Sequence, residues 1–205
     1  FYIYKKYPGA TVFKLILFLP NIISSLIFSL LFKMLVSEGY MAISVALTGT
    51  KPALGLLENP NTQLGALLFY CIWLGFGVKV LMFSSAMSGI DESLVESAHL
   101  DGAGIIQEFF KITIPLTTSY IFYNLIIGMI GALQLFNQPY VLTKGGGGDG
   151  GALLTVEMTI FNTAFSSLKM GEASAMAWVL CLIIVVLVSI AFKFSNKWVN
   201  YADEM

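Results

Sequence analysis

The sequence has 205 residues, of which 57% are hydrophobic and 11% are charged, and its mean hydropathy is +0.82. Soluble domains carry about 25% charged residues, so this composition excludes an ordinary soluble domain and is typical of a membrane protein. The net charge of -1 and the absence of arginine give no argument for a nucleic-acid partner.

Four apolar stretches are long enough to cross a bilayer, because a hydrocarbon core about 30 Å thick needs about 20 residues of helix. They are residues 13–36, 64–87, 116–140 and 173–192. A helix satisfies its own backbone hydrogen bonds in lipid, so we expect an all-α, polytopic helical bundle. Residues 1–205 then form one domain, with connecting loops at 37–63, 88–115 and 141–171.

The lysines predict the orientation of this bundle. One group comprises Lys5, Lys6, Lys14, Lys111, Lys193 and Lys197, and the opposite group comprises Lys51, Lys144 and Lys169, with Lys33 near the outer end of the first span. By the positive-inside rule, the larger group faces the cytoplasm. The amino end, the loop 88–115 and the carboxyl end are therefore predicted to be cytoplasmic.

The second span carries Trp73 and a charged residue, Lys79. Charged groups at membrane depth are costly and usually face a cavity or a neighbouring helix. Lys79 either extends toward the cytoplasmic surface, forms an internal hydrogen bond or lines a transport path, and the sequence leaves these interpretations open. Cys71 and Cys181 lie far apart in apolar stretches, which favours simple packing over a metal or redox site.

The loop 88–115 has the pattern of two short helices. Asp91 is a predicted N-cap, Gly102 is expected to end the first helix, and Pro115 opens the third span. Leu94, Val95, Ala98 and Leu100 are predicted to form an apolar side, and Glu92, Glu96 and His99 a polar side. Five acidic residues, including Glu108, face only one basic residue in this loop. Anionic lipid surfaces favour basic helices, so docking into a groove on a protein is the better interpretation.

The same loop contains a spaced motif. Glu96-Ser97-Ala98 is followed after three residues by Gly102, and after nine more by Ile112-Thr113-Ile114-Pro115. This motif resembles the EAA loop of permease subunits in binding-protein-dependent ABC importers, whose pattern is Glu-Ala-Ala, three residues, Gly, nine residues, Ile-x-Leu-Pro. The sequence matches at Glu96, Ala98, Gly102, Ile112 and Pro115 and departs at Ser97 and Ile114.

The third span is rich in amides: Asn124, Gln134, Asn137 and Gln138. The last three are spaced so that they share one face of a continuous helix. With Trp73 and nearby aromatic residues they are suited to hold a sugar, because amides bind hydroxyls and aromatic faces cover the C–H side of the ring. Hydrogen bonding between helices explains the same amides, and both interpretations stay open. The run from Gln134 to Thr143, with the glycines after it, also resembles the sugar-importer branch of the family.

A glycine-rich run at 145–151 opens the loop 141–171. A phosphate-binding loop needs a closing Gly-Lys-Ser/Thr before a helix, whereas Lys144 precedes these glycines. We therefore expect a flexible extracellular loop, followed by a short helix between Leu153 and Phe165.

The resemblance implies a type I ABC importer permease with a cytoplasmic coupling helix, in the cytoplasmic membrane of a bacterium or archaeon. Its implied partners are a second homologous permease, an ATP-binding cassette ATPase dimer that carries ATP-Mg, an extracytoplasmic solute-binding protein and membrane lipid. The implied ATPase-coupling residues are Glu96, Ser97, Ala98, Asp101, Gly102 and Ala103. The four spans correspond to the last four of a six-helix subunit, so about two helices are expected to precede Phe1.

The predicted function is ATP-driven import of a mono- or oligosaccharide, with Asn124, Gln134, Asn137, Gln138, Trp73 and Lys79 along the substrate path. The sequence predicts no catalytic residues, no metal ligands and no cofactor bound by this chain. A permease for a non-sugar solute and an ATP-independent secondary transporter or channel are the alternatives. A membrane enzyme would need clustered His, Asp or Cys, which the sequence lacks.

Overall fold

The computed structural model describes residues 1–5, 7–50, 52 and 54–200, and the regular structure of these residues is helical. The α-helices are α1 (Ala10–Ile22), α2 (Ser25–Met34), α3 (Tyr40–Thr48), α4 (Gln63–Ser88), α5 (Glu92–Leu100), α6 (Ile105–Glu108), α7 (Ile114–Leu116), α8 (Thr118–Leu133), α9 (Asn137–Thr143), α10 (Val156–Phe161) and α11 (Met170–Ser195). Wider π-helical turns occupy Leu35–Gly39, Phe109–Thr113 and Asn162–Ser166, and a 3-10 turn occupies Asp149–Gly151. The predicted all-α class is confirmed. Lys6 and Lys51, used above for orientation, lie outside the described residues.

Four helical stretches in the described part of the chain are long and apolar enough to cross a membrane. They are Ser25–Thr48, Gln63–Ser88, Thr118–Thr143 and Met170–Ser195. Their outer surfaces stay apolar: Leu182 and Val186 of α11, for example, are 60% and 56% exposed. Such exposure suits lipid or a neighbouring apolar helix better than water.

The first span differs from the prediction of one helix over 13–36. Helix α1 ends at Ile22, and a separate helical stretch runs from Ser25 to Thr48. Pro20 weakens the end of α1 because it lacks a backbone donor. Lys33 consequently lies within a span, where its Nζ donates to the Leu142 carbonyl oxygen at 2.7 Å.

The third span is also interrupted. Helix α8 ends at Leu133 and α9 begins at Asn137, so residues 134–136 are not helical. The prediction that Gln134, Asn137 and Gln138 share one face of a continuous helix is therefore wrong. The hydrophobic pattern missed the break because the residues on both sides of it are apolar enough to continue a span.

The described residues divide into two compact units. The first comprises Phe1–Phe18, Phe76–Ile130 and the described residues from Val185 on, and the second comprises Leu19–Gly75 and Gly131–Ile184. The core of the second unit contains the buried side chains Phe28, Phe32, Leu57, Leu67, Tyr70, Leu142 and Leu153. Within it, the hydroxyls of Ser29 and Tyr70 share a hydrogen bond of 2.8 Å, so both buried polar groups are satisfied.

The glycine-rich run belongs to this second unit and packs against the start of α4. The fully buried Gln63 donates from Nε2 to the Asp149 carbonyl oxygen at 2.8 Å, and its Oε1 accepts the Asp149 N–H at 3.2 Å. Gly148 has a φ of +78°, and a Cβ there would collide with the Gln63 side chain. The run is therefore a defined turn rather than the flexible linker that its composition predicts. The short helix expected after it is confirmed as α10 and the turn that follows.

The first unit contains a smaller core, formed by Phe122, Ile126 and Val199. The Phe122 ring packs edge-on against Phe192, with centroids 5.0 Å apart. The Asn200 N–H donates to Thr118 Oγ1 at 2.9 Å, which ties the segment after α11 to the start of α8. These contacts hold the helix ends beside the loop described below.

The Gly148 turn yields a stability prediction with an internal control. Gly148→Ala is expected to lower the unfolding temperature of the detergent-solubilised protein more than Gly150→Ala does. Both glycines have positive φ, which costs a non-glycine residue about 1–2 kcal/mol. Only Gly148 adds a collision, worth about 1–3 kcal/mol more, because the space around Gly150 is open. Equal unfolding temperatures for the two variants would contradict the packing of Gln63 against the turn.

Candidate functional site

The segment between α4 and α8 contains the short helices α5, α6 and α7, and both ends of α5 are defined by hydrogen bonds. Asp91 has extended backbone, and its Oδ1 accepts the Ser93 N–H at 3.0 Å, which caps the first turn of α5. Glu92 lies in that turn, where a negative charge suits the positive end of the helix. The predicted N-cap is confirmed.

Gly102 ends α5 in a two-bond C-terminal motif. The Ala103 N–H donates to the Ala98 carbonyl oxygen at 2.9 Å, and the Gly102 N–H donates to the His99 carbonyl oxygen at 3.0 Å. This is the Schellman arrangement, which needs a left-handed residue between helix and loop. Gly102 supplies it with a φ of +81°. The next glycine, Gly104, has ordinary extended backbone and caps α6.

The surface of this segment exposes apolar side chains beside acidic ones. Leu100 is 90% exposed and Ile106 is 74% exposed, while only Val95 of the predicted apolar side is buried. Leu94 is 46% exposed, so most of the predicted apolar side is not covered by other described residues of this chain. The exposed acidic residues nearby are Glu92, Glu96 and Asp101.

Glu108, counted among the acidic residues of the loop, is not on this surface. Its side chain is fully buried, with Lys5 Nζ at 2.6 Å from one carboxylate oxygen and His99 Nε2 at 3.1 Å from the other. The Phe109 ring packs edge-on against Phe1, with centroids 5.1 Å apart. The residues before α1 are therefore held against the end of α6 by an ion pair and a ring contact.

Sequence reasoning missed this network. Its only local signal is that Glu108 interrupts an apolar group formed by Ile105, Ile106, Phe109 and Phe110. Nothing in the sequence pairs Glu108 with Lys5, which lies far away along the chain. A carboxylate in an apolar setting needs a cation beside it, and the tertiary fold supplies one.

Lys79 and Asn124, both predicted path residues, meet in the first unit. Lys79 Nζ donates to Asn124 Oδ1 at 2.6 Å, and Asn124 Nδ2 donates to the Tyr120 carbonyl oxygen at 2.9 Å. Asn124 is buried, with 8% of its surface exposed. Lys79 thus points to α8 and not simply along its own helix toward the membrane surface.

The remaining predicted path residues lie in the second unit. Gln134 and Asn137 are exposed and Gln138 is half-buried, and none of the three side chains bonds another described residue. Trp73 packs against Phe28, with centroids 5.4 Å apart, and also against Phe69. Phe136 and Tyr140 instead contact Phe161, so they form a cluster separate from that of Trp73.

The helical fold and the four apolar spans of the described residues define a class: a multi-pass integral membrane protein. The family model "Binding-protein-dependent transport system inner membrane component" matches residues 7–201. The chain belongs to this family. It is a multi-pass membrane protein of the permease kind, as its sequence predicts.

Two named relatives illustrate the membership of this chain in the family. The chain is 33% identical over 198 residues to the probable ABC transporter permease protein YesP of Bacillus subtilis, covering 96% of this chain and 64% of that protein. It is 30% identical over 193 residues to the multiple sugar-binding transport system permease protein MsmF of Streptococcus mutans, covering 94% and 66% respectively. The chain thus spans about two thirds of the length of these relatives.

A solved structure confirms the fold. The bacterial alginate ABC transporter, crystallised in complex with an alginate pentasaccharide-bound periplasmic protein, contains a chain that superposes with a TM-score of 0.77. The match covers 95% of this chain and 68% of that chain, at 19% sequence identity. The helical architecture is therefore that of an ABC importer permease.

The Glu108 network yields a prediction about buried charge. Lys5→Met is expected to destabilise the solubilised protein by about 3 kcal/mol, because it removes the closer cation from a carboxylate that has no access to water. Lys5→Met combined with Glu108→Met should be more stable than Lys5→Met alone. Thermal unfolding of the three proteins measures the effect.

Lys111→Met is the matched control for loss of a lysine. Lys111 is exposed and forms no ion pair with a described residue, so its replacement should change stability by less than about 0.5 kcal/mol. If the double variant is no more stable than Lys5→Met alone, Glu108 is not held by Lys5.

Proposed function

We propose that this chain is the membrane-spanning permease subunit of an ATP-driven ABC importer and that its solute is a carbohydrate. The observation that carries the proposal is the acidic segment between α4 and α8, capped at both ends of α5 and exposing Leu100 and Ile106. A rigid helix with exposed apolar anchors in an acidic rim suits a groove on a partner protein. The family to which the chain belongs agrees with that assignment.

The names of the relatives support a carbohydrate solute. MsmF is named for multiple sugar transport, and the superposed permease belongs to an alginate transporter bound to a periplasmic protein that holds an alginate pentasaccharide. We extend both features to this chain: a saccharide as solute, and an extracytoplasmic solute-binding protein that delivers it. A second homologous permease would complete the membrane pore.

We assign the partner of the acidic segment as an ATP-binding cassette ATPase dimer. In this assignment Glu96 and Asp101 pair with basic groups of the ATPase, while Ser97, Ala98, Gly102 and Ala103 form the close contact. The segment suits force transmission because both ends of α5 are fixed by hydrogen bonds. ATP-Mg binds the ATPase, and closure of that dimer moves α5 and tilts the attached spans between two states. This places the segment on the cytoplasmic side of a bacterial or archaeal cytoplasmic membrane.

We assign the substrate path from two features at membrane depth. Irregular backbone in a span is tolerated where it is buried in protein or lines a water-filled cavity, and we assign the break at 134–136 to the substrate path on that ground. The amides Gln134, Asn137 and Gln138 at this break have free hydrogen-bonding groups for sugar hydroxyls. Trp73 offers an aromatic face in the same unit, and Lys79 with Asn124 forms a second polar position.

The coupling role is tested by a pair of glycine variants in the reconstituted importer. Gly102→Ala strains a backbone of positive φ by about 1–2 kcal/mol and should lower solute uptake per ATP hydrolysed by about fivefold or more. Gly104→Ala has the same open surroundings and an ordinary backbone, so its uptake should match the unsubstituted protein. Equal coupling in both variants would remove the assigned role from this segment. Uptake that persists without ATP would instead indicate a secondary transporter or channel.

The assigned contact is tested by cysteine cross-linking in a protein whose Cys71 and Cys181 are replaced by serine. A cysteine at Ser97 or Ala103 is expected to cross-link to the co-expressed ATPase. A cysteine at Ser174, exposed at the start of α11, serves as the control and should not react with the ATPase. Cross-linking from the control position alone would show that the segment faces the opposite side of the membrane.

A further inference from the structure

Lys79 carries a charge deep within α4. It lies in the carboxyl-terminal half of this helix, which runs from Gln63 to Ser88. Ionisable groups at such depth are costly and are usually retained for transport or for a specific partner. No carboxylate oxygen of the described residues lies close enough to Lys79 Nζ to form a salt bridge, so this ammonium is not paired with an anion.

The position of the ammonium is set by Asn124. The Asn124 amide is oriented by its Nδ2 bond to the Tyr120 carbonyl oxygen, so its Oδ1 faces Lys79. A neutral acceptor fixes the ammonium in place without cancelling its charge. It also occupies one of three N–H donors, which leaves the others for a ligand.

Lys79 lines a cavity of about 530 Å³ within the first unit. The volume falls in the range of sites for small organic ligands. The cavity lining is mainly apolar, both aliphatic and aromatic, and its aromatic residues include Phe13, Phe76, Phe83 and Phe109. A cavity with one fixed cation and aromatic faces suits a ligand that has an anionic group and a ring with a C–H face.

We propose that Lys79 is a specificity-determining contact for an anionic saccharide, one that bears a carboxylate or a phosphate. This inference rests on the proposed function and names the class of its solute. The ammonium binds the anionic group, Asn124 positions the ammonium, and the phenylalanine rings cover the sugar ring. A neutral sugar would gain nothing from an uncompensated cation, since hydroxyls are satisfied by amides without the cost of the charge.

The test is a calorimetric titration of the solubilised permease–ATPase complex, without the binding protein, using three probes. Digalacturonate carries carboxylates, glucose 6-phosphate carries a phosphate, and galactobiose is the neutral counterpart of the first. We expect at least one anionic probe to bind about tenfold or more tightly than galactobiose, and the preference to weaken with added salt. Which anionic probe binds distinguishes the carboxylate from the phosphate.

Lys79→Gln is expected to abolish this preference, and Lys79→Arg to retain it because the charge remains. Lys33→Gln is the control. Lys33 is also a lysine within a span, but it belongs to the other unit, where it donates to the Leu142 backbone carbonyl. This variant should leave the ratio of affinities unchanged. A ratio near one in the unsubstituted complex, binding of none of the probes, or a preference that survives Lys79→Gln would each overturn the proposal. If one of these results is obtained and the complete importer still takes up a neutral saccharide with ATP, only the role of Lys79 is rejected and the proposed function stands.

Discussion

Backbone hydrogen bonding in apolar surroundings is the constraint on which the rest of this structure depends. Residues that face lipid have no water to satisfy their N–H and C=O groups, so the chain crosses as helices. Wherever a helix ends, another group must take over. Asp91 and Gly102 do so around α5, and the buried Gln63 does so for the Asp149 backbone in the glycine-rich turn.

Charged side chains within this apolar setting are handled in three different ways. Lys33 donates to a backbone carbonyl, Lys79 donates to a neutral amide, and Glu108 is paired with two basic side chains. Only the third arrangement pairs opposite charges. Lys33 and Lys79 both donate to neutral acceptors, and Lys79 is the one that also lines a cavity, which is why we assign it a role in solute recognition.

The same segment that connects two spans also has the properties of a lever. Its ends are fixed by α4 and α8, its first helix is capped at both termini, and Lys5 and Phe1 pin its second helix through Glu108 and Phe109. Such contacts suit a segment that transmits force to the helices attached to it. In the proposed importer, that rigidity lets a push at Leu100 or Ala98 reach the membrane-embedded helices.

Much of the local architecture could be predicted from residue types alone. Asp91 as a cap and Gly102 as a helix end follow from preferences that act over a single turn, and the capped segment was predicted correctly. Span length follows from hydrophobicity, and four spans are present among the described residues. The interruptions at Ile23 and at 134–136 were not predicted, because hydropathy averages over about 19 residues and does not register a local break.

The sequence by itself determined the membrane class, the helical architecture, the capped acidic segment and the resemblance that led to the family. Only the tertiary structure decided that Glu108 is buried, that Lys79 bonds Asn124, that the glycine run is a packed turn and that Trp73 and Phe136 belong to separate aromatic clusters. The physical reason is range. Helix caps, hydrophobic periodicity and span lengths depend on residues that are close together in the sequence. The tertiary contacts join residues on different helices, such as Lys79 with Asn124, 45 positions apart, and Gln63 with Asp149, 86 positions apart.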